Sequence, residues 1–204
     1  MAHIIYKTDA FILGTTPRGE ASAVFTLFTE SHGLISARAQ SVRRVNGKLK
    51  HALSRYHKAS CSLVSGKLGW RLIDAEERFL PPDIFFSEVK REVYAKILLW
   101  VARFQGQDEK EKELYEDVLH MVAFLGNHSF TKSDKESLEI AVALLLLYRF
   151  GYLSPEQVKN EIKNGEEAII FDPRAWHPTI LLSLSQNARG LIMLINNGII
   201  ASNL

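Results

Sequence analysis

The spacing of hydrophobic residues changes once along this chain, near Leu80. Before it, apolar and polar positions alternate in short runs, as expected of strands with one face in a core. The candidate strands are Ile4 to Leu13, Ala21 to Thr29, Leu34 to Gln40, Ala59 to Val64 and Gly69 to Ala75. Turn-rich segments separate them: Gly14 to Gly19, Ser31-His32-Gly33, a longer basic connection, and Ser65 to Leu68. Within the longer connection Leu49, Ala52, Leu53 and Tyr56 fall at helical spacing. The remaining positions carry Lys48, Lys50, His51, Arg55 and Lys58. Three strands, a short helix and two more strands is the order of an OB-fold barrel.

Phe79-Leu80-Pro81-Pro82 disfavours regular structure and marks a boundary, so the chain reads as a barrel over 1–80 and a helical domain over 81–204. Beyond it, Phe86, Val89, Val93, Ile97, Trp100, Val101 and Phe104 recur every three or four residues. Leu114, Val118, Met121, Val122 and Leu125 do the same. A third helix starts at Ser133, with Glu136 placed for a capping box, and stops at Gly151. Its stretch from Leu138 to Phe150 is apolar on every side, which predicts the centre of a bundle. Ser154-Pro155-Glu156-Gln157 opens a short fourth helix, and 166–172 reads as a brief extended segment. A last helix is expected from Pro178 or Thr179 to about Asn196, stopped by Gly198. The fold class is therefore α+β: a five-stranded OB-fold barrel followed by an all-α bundle.

Composition is that of a globular protein: 204 residues, 47% hydrophobic and 24% charged. The N-terminus lacks a charged segment followed by an apolar one, and the longest apolar run, Ile140 to Tyr148, is too short to cross a bilayer, so a cytoplasmic protein without a membrane partner is expected. The single cysteine, Cys61, excludes an intrachain disulfide and a cysteine-rich zinc site. Its alternating neighbours suggest a buried structural thiol.

Charge alters the picture more. The formal net charge is only +2, yet no aspartate or glutamate occurs between Glu30 and Asp74. That interval carries Arg38, Arg43, Arg44, Lys48, Lys50, Arg55, Lys58, Lys67 and Arg71. A solvated surface normally mixes both signs, so a run of one sign points to a polyanionic partner, and nucleic acid is the foremost. Catalytic signatures are missing from the sequence: it has no GxxxxGK[ST] loop, HExxH pair or GxSxG elbow. Glu109, Glu111, Glu113, Glu116 and Asp117 read as a solvated helix face. Between Glu30 and Asp74 there is no carboxylate to converge on two metal ions, so a binding protein without enzymatic activity, metal or cofactor is expected.

Several runs resemble the N-terminal domain of the bacterial recombination mediator RecO. They are Tyr6 to Leu13, Gly19-Glu20-Ala21, Thr26 to Glu30, His32 to Ala37, and Arg43-Arg44 leading to Lys48 to Leu53. In the helical half the similarity thins to Leu138-Glu139 and Leu147 to Leu153, similar to the family's leucine-rich helix with its Gly-Tyr pair. The resemblance implies a non-enzymatic protein of the bacterial cytoplasm and nucleoid, active in DNA repair and recombination. Such a protein binds single- and double-stranded DNA, anneals complementary strands and associates with RecR. It also contacts the acidic tail of single-stranded DNA-binding protein and assists RecA loading indirectly.

Two departures stand out: no cysteine follows the Gly-Tyr pair, where many members carry a four-cysteine zinc module, and Gln40 and Ser41 replace a commonly basic residue and glycine. The expected DNA-binding residues are Arg38, Arg43, Arg44, Lys48, Lys50, Arg55, Lys58 and Arg71. Arg103, Arg149 and Arg189 are the cations available beside apolar helix for the acidic tail. The competing reading is a structural module whose basic barrel holds RNA or an acidic protein.

Overall fold

A computed structural model describes residues 4–18, 22–40, 52–106, 112–162 and 166–202. The chain divides into two compact units. Met1–Leu80 is joined in the first by Gln105–Tyr115, and the second comprises Pro81–Phe104 and Glu116–Leu204. A cut at Leu80 alone therefore leaves out the later segment that returns to the barrel.

The first unit holds β1 (Ile5–Arg18), β2 (Ser22–Thr29), β3 (Gly33–Ala39), β4 (Lys58–Gly66) and β5 (Gly69–Arg78). They close in the order β1-β2-β3-β5-β4, with β3 and β5 parallel and the other pairs antiparallel. This is the OB-like barrel expected from the pattern. Its interior is filled by alternate residues, among them Ala10, Ile12, Leu27, Ile35, Ala37, Cys61, Leu63 and Leu72.

β1 runs on through Gly14-Thr15-Thr16-Pro17-Arg18, where the sequence suggests a turn. A register shift between Ile12 and Gly14 bends it there, so its first half pairs with β4 and its second with β2. Phe11 and Phe28 lie outside the barrel core cluster, yet both are fully buried. Tyr115, in the segment that returns to this unit, packs on them at ring-centroid distances of 5.6 and 5.4 Å.

The helix expected at 49–56 begins outside the described residues, and its described end turns instead of continuing. Tyr56 has a φ of 70°. Its N–H donates to the Ile12 carbonyl (2.7 Å), and Ile12 N–H donates back to the His57 carbonyl (2.9 Å). Arg55 thus sits in the turn and Lys58 opens β4, so neither belongs to a basic helix.

The helical unit contains α1 (Asp83–Phe86), α2 (Glu88–Phe104), most of α3 (Lys112–Asn127), α4 (Asp134–Arg149), α5 (Pro155–Glu161), α6 (Glu167–Ile170), α7 (Ile180–Gln186) and α8 (Ala188–Ala201). α4 is buried almost continuously from Ser137 to Leu147, the central position that its all-round hydrophobicity predicts. Its expected capping box is absent: Ser133 makes no side-chain cap, and Asp134 instead accepts from Thr131 N–H at 2.7 Å. Ser154 N–H donates to Gln157 Oε1 at 2.8 Å, as the fourth helix requires.

Phe86 is 85% exposed, because α1 and α2 are separate helices and it ends the first. Residues expected to be extended at 166–172 include α6, followed by a 3-10 turn at Pro173–Ala175. The single last helix is two, broken at Asn187. Gly198 does not stop it but lies buried inside α8, where an added Cβ would come within 3.0 Å of Leu147 Cδ1. Close approach to α4 is what the glycine supplies.

Candidate nucleic-acid interface

The parallel pairing of β3 with β5 sets Arg38 directly beside Arg71, with Ala37 opposite Trp70 and Ala39 opposite Leu72. Residues side by side in a ladder share a face, and Arg38 and Arg71 are both exposed while Ala39 and Leu72 point into the core. Two like charges on adjacent strands repel, an arrangement that favours an anion between them.

The β4–β5 hairpin completes the site. Gly66 and Gly69 pair across the two-residue turn Lys67-Leu68, and Gly69 takes a φ of 90°, a left-handed conformation that glycine adopts without strain. Arg38, Gln40, Lys67, Leu68, Trp70 and Arg71 line a groove of about 320 Å³ with the backbone of the hairpin. Among the described residues its lining holds three cations and no carboxylate. Trp70 packs against the barrel core, and its ring meets Tyr6 at 5.4 Å and His32 at 4.7 Å. The indole is thereby held in one orientation at the groove. Trp70 was not among the residues expected to bind; an aromatic between Lys67 and Arg71 at the start of a strand is the signal that would have found it.

β5 has two electrostatic ends. Its later residues Asp74, Glu76 and Glu77 stand opposite Ser62, Ser60 and Ala59 of β4. Near that end Lys58 Nζ is 3.1 Å from Asp9 Oδ2 and only 15% of its side chain is exposed. Arg78 reaches the same carboxylate at 3.4 Å. Arg55 Nε donates to the Leu13 carbonyl at 3.1 Å and its guanidinium lies 4.7 Å from the Tyr56 ring centre. Of the four expected phosphate ligands within the described residues, Arg38 and Arg71 meet at the groove, while Arg55 and Lys58 engage other parts of the barrel. Arg43, Arg44, Lys48 and Lys50 lie outside the described residues.

Cys61 is 1% exposed. Burial, then the charges of Asp9 and Asp74, push its thiol up to about 12, so it stays protonated and unreactive.

The three arginines expected to meet a partner have separate fates. Arg149 Nε donates to Asp117 Oδ2 at 2.5 Å, and Asp117 is buried where a solvated face was expected. Burial raises the Asp117 carboxyl above its ordinary range, and the hydrogen bond and charge of Arg149 oppose that shift. Arg189 is exposed in the first turn of α8. Arg103 is exposed beside Phe104, whose ring stacks between Trp100 at 5.2 Å and Phe150 at 5.5 Å. These three rings are only partly buried. Among the described residues no helix is long and apolar enough to cross a membrane.

A closed five-stranded barrel of this topology is an OB-like domain, and here it carries a basic groove between β3 and the β4–β5 hairpin. Residues 1–69 match the family model described as Recombination protein O N terminal. The match covers most of the barrel, about a third of the chain, so the N-terminal domain is of the RecO type, and that likeness points toward DNA recombination and repair. No curated protein matches it.

Proposed function

We propose that this chain is a non-enzymatic recombination mediator that binds DNA across the β3 and β4–β5 groove and promotes pairing of complementary strands. The observation carrying this reading is the meeting of Arg38, Lys67 and Arg71 at one groove of an OB-like barrel, with the half-buried Trp70 also in its lining. Guanidinium and ammonium groups bind phosphates without reading bases, and an aromatic face accepts any base. Charge neutralisation on two strands lowers their mutual repulsion, so complementary segments approach and pair with no bond made or broken by the protein. Arg43, Arg44, Lys48 and Lys50 extend the same cationic stretch in sequence.

The helical unit serves partners in this reading: RecR, and the acidic, apolar-ended tail of single-stranded DNA-binding protein, with RecA loading as the outcome. Arg103 beside the Trp100–Phe104–Phe150 stack has the cation and apolar surface that such a tail requires. Salt-titrated binding to single strands and duplex, followed by annealing of complementary oligonucleotides, tests the proposal. Acceleration of annealing supports it; retention of RNA without annealing would favour the structural-module reading instead.

A further inference from the structure

An isolated exposed leucine on a protein surface needs no explanation. Leu68 differs in its position. It is 90% exposed at the tip of a two-residue hairpin turn, a place where small and polar residues are the rule. It follows Lys67 and lines the groove that holds Arg38, Trp70 and Arg71. Gly66 and Gly69 flank the turn, and a Cβ built on Gly69 would meet nothing within 4 Å, so the backbone below the tip is open to a ligand. An apolar side chain raised above cations has a specific match in nucleic acid, where phosphates lie a few ångströms from apolar base faces.

We propose that the hairpin is an unstacking wedge: Leu68 inserts between neighbouring bases while Lys67, Arg38 and Arg71 hold the phosphates beside the opened step. This rests on the DNA-binding reading above and adds to it a mechanism and a preference. A base step in single-stranded DNA opens at lower cost than one locked in a duplex, so the wedge favours single strands and junctions. It also bears on annealing. Self-stacked or folded single strands pair slowly, and a protein that opens their stacks while screening their charge presents bases ready to pair.

The experiment uses the full chain with oligonucleotides carrying 2-aminopurine, whose fluorescence rises when the base leaves its stack. Wild-type protein is expected to raise the signal on single strands and at a junction more than within a duplex. Leu68→Ala is expected to abolish the rise and weaken single-strand binding by about tenfold, the value of one leucine moved from water into an apolar site. The slope of log affinity against log salt should stay unchanged, because no phosphate contact is lost. Leu68→Phe, which keeps an apolar wedge, is expected to retain the fluorescence response. Binding by both wild type and Leu68→Ala with identical fluorescence would overturn the wedge while leaving the DNA-binding reading intact. Failure of the wild type to bind any DNA would overturn that reading itself, and the wedge with it. Insertion into anionic lipid vesicles by the wild type, with no effect on 2-aminopurine, would assign Leu68 to a membrane surface and also refute the proposal.

Discussion

Replacing Arg38, Lys67 and Arg71 together by alanine separates affinity from stability. All three side chains are exposed, and two are neighbours across the β3–β5 ladder. If each holds one phosphate of a single strand, losing three contacts makes the log–log salt dependence shallower by about 2. Between about 50 and 200 mM salt the wild type should then lose roughly twentyfold more affinity than the variant. Stability should move the other way. The adjacent guanidiniums repel each other in the free protein, so Arg71→Ala alone should leave folding unchanged or improve it by about a few tenths of a kcal/mol. Fluorescence anisotropy over a salt series gives the slope, and urea unfolding gives the stability. An unchanged slope would refute the assignment of the groove. A large loss of stability would show that these cations serve the barrel and not a ligand.

Lys58→Ala should behave inversely, costing about 1–2 kcal/mol because it leaves the partly buried Asp9 with one fewer partner, while the salt slope of DNA binding stays as in the wild type. Cys61 should resist alkylation in the folded protein at neutral pH. Because its folded thiol is raised to about 12, its contribution to stability is complete below about pH 8.5 and is lost at about 1.4 kcal/mol per pH unit above that, toward pH 12, so Cys61→Ala should flatten the alkaline limb of a urea-stability profile. Gly126→Ala should destabilise the helical unit by about 1 kcal/mol or more. Its new Cβ would lie 2.5 Å from Pro81 Cγ, a ring that cannot swing aside, and the overlap outweighs the helix-propensity gain of about 1 kcal/mol; urea unfolding followed by circular dichroism measures it.

The amino-acid sequence by itself determined the five barrel strands, the main helices and the ground of the charge argument, while shorter segments such as 166–172 took another form. Alternation before Leu80 and the 3.6-residue period after it record which side chains leave water, a local property that survives any later arrangement. The central place of α4 was legible for the same reason, since a helix with no polar face must be surrounded. The acid-free run marked the first half as basic, but could not say which cations would remain available to a ligand. Tertiary structure decided that through register. Parallel pairing brings Arg38 and Arg71 together, although they are far apart in sequence. Antiparallel pairing of β1 with β4 brings Lys58 to Asp9. Packing likewise gives Arg149 to Asp117 across 32 residues and fixes Trp70 through Tyr6 and His32. Ion pairs and aromatic cages depend on distances of a few ångströms between remote segments, and no periodicity within one segment carries that information.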